Sequence, residues 1–269
     1  MNGRIFSVVG GMFLLTVCSK GDRSSVQAAP AAPAAPAAPA APQPAAIAAS
    51  SDGSADGGTI TGKIKFTGTA PRNPAIDMSE EAACKAKYKT SPTEENVVAG
   101  PANALANVFV YVSAGLPANA KYQAPSTPVT LDQNGCRYHP HVLGIMVGQP
   151  FEIINSDPVL HNIKAIAKKN RPFNVSQPSA GMKTTRTFST PEVMVNLECN
   201  VHGWMKAFLG VRSDPFYAVS GEDGSFSIKG LPPGTYTVEA WHEKFGTQTA
   251  TVTVTGTESK TANFTFAAH

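Results

Sequence analysis

Beyond residue 57 the chain is written in short runs whose apolar and polar residues alternate with a period of two, a pattern that suits half-buried strands and not helices. The runs fall at 59–66, 107–112, 151–155, 192–199, 225–228, 235–240, 247–254 and 261–266. Gly, Pro, Asn and Asp punctuate them at the spacing of β-sandwiches. One helix is expected over 78–89, because Asp77 and Glu80 have the three-residue spacing of a capping box. The fold class is all-β, with two sandwiches. Roughly 210 residues are available to build them, enough for two small interiors.

The first 57 residues cannot contribute a core. Residues 1–4 are short and basic, and 5–17 form an apolar run of signal-peptide length. The run ends in Leu15-Thr16-Val17-Cys18, which resembles a bacterial lipobox with Cys18 as the lipidated residue. Val17 stands where that pattern has a small residue, and plain secretory cleavage near 26–28 or an uncleaved anchor stay open. Each reading exports the rest of the chain to the periplasm or cell surface, and the lipobox tethers it to a membrane. Residues 19–57 are a linker in which Ala-Ala-Pro occurs five times from Ala28 to Pro42. Proline at every third position favours polyproline II, a semi-rigid spacer of roughly 45 Å. The net charge of +3 is scattered, which gives no electrostatic case for a nucleic-acid partner.

The chemistry-bearing residues cluster in two stretches. One reads Asn155-Ser156-Asp157-Pro158-Val159-Leu160-His161-Asn162, the other Glu198-Cys199-Asn200-Val201-His202-Gly203-Trp204-Met205. Alternation along 192–199 puts Val193, Val195, Leu197 and Cys199 on one face, so Cys199 arrives partly buried at the strand's end. His202 and Met205 follow on a tight loop. A thiolate, two imidazoles and a thioether are the ligand types of a trigonal copper site with a weak axial Met. Alone, Cys-x₂-His is as compatible with a buried thiol, a surface His and a core Met. Zinc fits less well, since structural zinc sites close with four strong ligands and Met is not one.

With these motifs in order, residues 129–213 resemble a cupredoxin, the small blue-copper electron-transfer fold. The resemblance rests on Tyr138-His139-Pro140-His141, Gly148-Gln149-Pro150-Phe151, Asn155-x-Asp157 before His161-Asn162, and Cys199-x₂-His202-x₂-Met205. The last spacing is similar to the short ligand loop of the amicyanin type. The resemblance implies one type 1 copper, with His161, Cys199 and His202 equatorial and Met205 axial. It implies that Asn162 locks the first ligand loop and that its backbone bonds the Cys199 sulfur. It further implies that the His202 edge reaches solvent, with Gly203 and Trp204 in its docking rim. The function implied is single-electron carriage to a redox protein such as a c-type cytochrome or another copper protein, without enzymatic turnover. The rivals are a copper storage or delivery module, and a surface structural or carbohydrate-associated protein whose fold has lost its metal.

The chain has four cysteines. With Cys18 lipidated and Cys199 on metal, Cys84 and Cys136 remain as a disulfide pair in an oxidising compartment, or as two buried thiols. Downstream, Ser220-Gly221-Glu222-Asp223-Gly224 and Gly230-Leu231-Pro232-Pro233-Gly234 before alternating strands resemble the carboxypeptidase regulatory-like sandwich. That family's opening strands are similar to 61–64 and 106–112, upstream of the copper module. Residues 58–116 and 214–269 are therefore read as one sandwich with 117–213 inserted, a tandem arrangement being the alternative. Six histidines are too few for a multicopper oxidase. A weaker second site at His139 and His141, or ligation by His242, is the less favoured reading beside structural roles.

Overall fold

The computed structural model describes residues 57–268. The signal segment, Cys18, the linker up to residue 56 and His269 lie outside the described residues. The chain runs through β1 (Gly58–Thr67), the single helical turn α1 (Ala82–Lys85) and β2 (Phe109–Ala114). Next come β3 (Val129–Gln133), β4 (Tyr138–His139), β5 (Val142–Met146), β6 (Phe151–Asn155) and β7 (His161–Ile166). They are followed by β8 (Phe173–Gln177), β9 (Lys183–Arg186), β10 (Glu192–Glu198) and β11 (Lys206–Arg212). The last six are β12 (Tyr217–Val219), β13 (Ser225–Leu231), β14 (Gly234–His242), β15 (Gly246–Val254), β16 (Ser259–Thr261) and β17 (Phe264–Ala267). The protein is all-β. Among the described residues no helix is long and apolar enough to cross a membrane.

Four sheets pair into two sandwiches. In one, β13-β1-β16, with β17 also on β1, faces β12-β2-β14-β15. Its core holds Ile60, Ile64, Val110, Phe226, Val238 and Phe266. The early strands β1 and β2 thus take their sheet partners from β12–β17. In the other, β5-β11-β10-β7-β8 faces β4-β3-β6-β9, around Leu131, Phe151, Ile153, Val195, Leu197 and Leu209.

The strand β2 is buried on both faces because it lies where the sandwiches meet. Val110 and Val112 enter the first core, while Phe109 and Tyr111 turn to a cluster with Val142, Met146 and Tyr217. Glycine makes that approach possible. Gly144 and Gly210 are cross-strand partners on β5 and β11. A Cβ on Gly210 would lie 2.3 Å from the Phe109 ring, and one on Gly144 2.5 Å from Tyr217.

Two local expectations are corrected. The helix expected over 78–89 is a single turn. Asp77 does not cap it; its Oδ1 accepts the Ser79 N–H at 2.9 Å, a local turn that competes with helix entry. Val193 leaves the face shared by Val195, Leu197 and Cys199, because the β10–β11 register shifts between Glu192 and Val195. Its side chain packs instead in the cluster between the sandwiches.

Candidate metal centre

Sheet register carries the two sequence motifs to one place. Strands β10 and β7 run antiparallel with Glu198 opposite Lys164, so Cys199, just past β10, comes level with His161 and Asn162 at the start of β7. The loop from Cys199 to Met205 closes on itself. The Cys199 N–H donates to the Met205 carbonyl at 3.2 Å, and the Met205 N–H to the His202 carbonyl at 2.9 Å. Donor atoms of His161, Cys199 and His202 lie within 4.8 Å of one another, and all three residues are buried. The imidazoles face each other through Nδ1, 2.9 Å apart, and Cys199 Sγ lies 3.9 Å from His202 Nδ1. Met205, the last residue of that loop, is buried in the same core as Cys199.

Burial raises the Cys199 thiol pKa, but hydrogen bonds from the His161 and His202 imidazoles and the Asn162 and His202 N–H groups outweigh it. The result is about 5, so the sulfur is a thiolate at neutral pH. Thiolate is the metal-binding form of cysteine. One thiolate with two converging imidazoles suits a borderline or soft ion in a site closed to bulk water.

Asn162 ties the two loops together. Its Oδ1 accepts from the Asn200 N–H at 2.7 Å and lies 3.3 Å from Cys199 Sγ, while Nδ2 donates to Asn174 Oδ1 at 2.6 Å. Trp204 is half-buried; its Nε1 donates to the Cys136 carbonyl at 2.9 Å and its ring lies 5.1 Å from that of His202. Gly203 is exposed, with open space where a Cβ would stand. Cys84 and Cys136 form a disulfide.

The His202 edge does not reach solvent as expected: the residue is only 2% exposed. The segment around α1 covers it, placing Cys84 Sγ 3.9 Å and Glu81 Oε2 3.6 Å from Nε2. Three contributors were not singled out in the sequence. Asp157 holds His161 Nε2 at 2.9 Å, Lys87 holds Asp157 at 2.5 Å, and Tyr138 donates its hydroxyl to the Asn162 carbonyl at 2.5 Å. Asp157 stood in the quoted motif four residues before His161. Nothing near Lys87 in sequence announces its partner.

His139, His141 and His242 build no second cluster with metal-ligand spacing among the described residues. His141 is engaged through Nε2 by Glu243 at 2.5 Å and through Nδ1 by the Lys206 carbonyl at 3.2 Å. His242 stacks on Phe245 at 4.6 Å.

Residues 210–267 match the carboxypeptidase regulatory-like domain family. Among solved structures, the chain is similar to a copper-containing nitrite reductase from Thermus scotoductus SA-01, at 26% identity and TM-score 0.31, covering 38% of this chain and 26% of that one. It is also similar to a purple cupredoxin from Nitrosopumilus maritimus, at 22% identity and TM-score 0.27, over 30% of this chain and 97% of that one. A mutant form of amicyanin matches at 17% identity and TM-score 0.30, over 38% and 98%. The chain thus spans about a quarter of the nitrite reductase. No curated protein matches the sequence.

Proposed function

We propose that this protein is an exported, membrane-tethered carrier of single electrons built on one type 1 copper site, and that it does not itself turn over a substrate. The observation that carries the reading is the convergence of a depressed thiol with two buried imidazoles, all within 4.8 Å. When bound, copper supplies a one-electron couple. The chain supplies the rest. His161 and His202 present Nδ1, Cys199 presents a thiolate, and Met205 offers a weak thioether from the same loop. The loop's own hydrogen bonds and Asn162 hold these donors fixed, which reduces rearrangement between oxidation states.

The surface beside the site suits a protein partner. Leu160 and Val201 are 43% and 46% exposed, and each directly precedes one of the two histidines. With Gly203 and half-buried Trp204 they give an apolar rim for a redox protein such as a c-type cytochrome. The burial of His202 favours a second reading, copper storage or delivery. Ready loss of Cu(I) to a chelator would support that reading against a carrier.

The test is a visible and electron paramagnetic resonance spectrum of the Cu(II)-loaded protein. An intense thiolate-to-copper band with narrow hyperfine splitting is expected. A pale, ordinary Cu(II) spectrum would end the proposal.

A further inference from the structure

The segment that buries His202 approaches the site with three side chains in a row. Glu81 is the N-cap residue of the α1 turn, Cys84 lies within it and Lys87 follows its end. Glu81 and Cys84 face His202 Nε2. Lys87 reaches past them to Asp157 Oδ1 at 2.5 Å. Cys84 is fixed by its disulfide to Cys136, whose own N–H donates to Asp157 Oδ2 at 2.6 Å. The Tyr88 hydroxyl donates to the Gly135 carbonyl at 2.7 Å, pinning the same two stretches together.

The carboxylate of Asp157 has no exposure to solvent. Its partners are the Gly135 and Cys136 N–H groups, the Lys87 ammonium and the His161 imidazole, at 2.9, 2.6, 2.5 and 2.9 Å. The two N–H groups and the ammonium can only donate, and a carboxylate only accepts, so this setting holds Asp157 ionised. The His161 ring is thereby oriented, with Nε2 toward the carboxylate and Nδ1 toward the donor cluster. A carboxylate on the far nitrogen of a ligating imidazole makes it more basic and favours the more highly charged ion. A nearby ammonium opposes that effect.

We infer that Asp157 and Lys87 are a positioning pair acting in opposite senses on the metal through His161, with Lys87 held in place by the disulfide-stapled α1 segment. The inference rests on the proposed copper reading. Asp157 favours Cu(II) and lowers the reduction potential. Lys87 neutralises Asp157 and raises it. The covering segment therefore sets the potential as well as shutting out water.

The experiment is voltammetry of the copper-loaded full chain, with a visible spectrum of each sample. Asp157→Asn is expected to shift the potential up, Lys87→Gln to shift it down, and Lys87→Arg to return it near the parent value. A pair with a merely structural role would move both variants the same way, or neither, and that result overturns the inference. Should Asp157→Asn fail to fold, the half-exposed Lys87 variants decide alone, and a Lys87→Gln potential at or above the parent's is fatal. Loss of the thiolate–copper band in the parent would bring down the copper reading and this inference with it. A normal band with potentials that do not part overturns the inference alone.

Discussion

The two sandwiches share an architecture and differ in what they bury. In the one built from β1, β2 and β12–β17 the interior is aliphatic and aromatic, and its buried polar side chains are few. Ser220 there simply links the Val108 N–H to the Leu105 carbonyl, at 3.0 and 2.8 Å. The sandwich with the candidate metal centre buries Gln133, Asn155, Asp157, His161, Asn162, Gln177 and His202. Such groups are tolerated inside a fold only when hydrogen-bonded. Asn155 is held by its Nδ2, which donates to the Val159 and Gln177 carbonyls at 2.9 and 2.8 Å, and by its Oδ1, which accepts the Asp157 N–H at 2.9 Å. Apolar burial suffices to make a sandwich; making a site takes a network that positions each donor.

The sharpest separation of the two regions is Cys199→Ser. The thiolate-to-copper band should vanish completely, while circular dichroism and the apo-protein's thermal midpoint stay close to the parent's. Serine is nearly isosteric and the network around it remains. A retained band would refute the ligand assignment and erase the contrast between site and scaffold.

The next effect tests whether the cover belongs energetically to the site. The Cys84–Cys136 bridge spans a sequence separation of 52, and closing a loop of that size stabilises a fold by up to about 4 kcal/mol. The double variant Cys84→Ala, Cys136→Ala should lose stability on this scale in urea unfolding and open His202 to solvent. Unchanged stability would mean that the α1 segment is held by other contacts.

What the sequence disclosed follows the range of each interaction. Cys199 and His202 sit three residues apart, and one strand end and one loop place them, so their grouping was legible. The strands 59–66, 151–155 and 247–254 were legible because a single buried face imposes alternation. Strand β5 was not, since all of Val142–Met146 is buried and no alternation survives. Strand β9, Lys-Thr-Thr-Arg, lies at a sheet edge with no buried residue to mark it. The covering of His202 was illegible for a different reason. It depends on α1 crossing from a part of the chain more than a hundred residues away, and no local pattern reports that crossing.

A third prediction sets two buried histidines against each other. His242, in the first sandwich, is lowered to about 4 by burial, with His141 and Lys244 adding to the effect. Its Nδ1 accepts the Lys244 N–H at 3.1 Å, which fits a neutral ring. The unfolded chain takes up this proton near the ordinary pKa of about 6.5, and the native fold resists it. Stability from His242 is therefore complete above about pH 6.5 and lost as pH falls toward 4, up to about 3 kcal/mol. His161 has the opposite sign. Burial disfavours its charge, but Asp157 and Cys199 outweigh burial and raise its pKa. In the apo-protein its contribution is present below the ordinary value and fades as pH rises through the raised one. Urea midpoints of the apo-protein between pH 4 and 7 should fall on the acid side, and His242→Gln should flatten that fall. A fall of the same size in the variant would remove His242 as its source.

The smallest effect concerns Trp204, where site and cover touch. Its indole donates to the Cys136 carbonyl at 2.9 Å, and its ring lies 5.1 Å from that of His202 at an interplanar angle of 42°. Trp204→Phe removes the donor and keeps an aromatic face, so about 1 kcal/mol of stability should be lost with the copper band unmoved. Trp204→Ala removes the face as well and should slow electron exchange with a protein partner more than it alters the spectrum. These outcomes assign the ring to the docking rim and the hydrogen bond to the cover. A shifted band in the Phe variant would mean that the indole's bond to Cys136 helps to set the His202 ring, and Trp204 would then belong to the site.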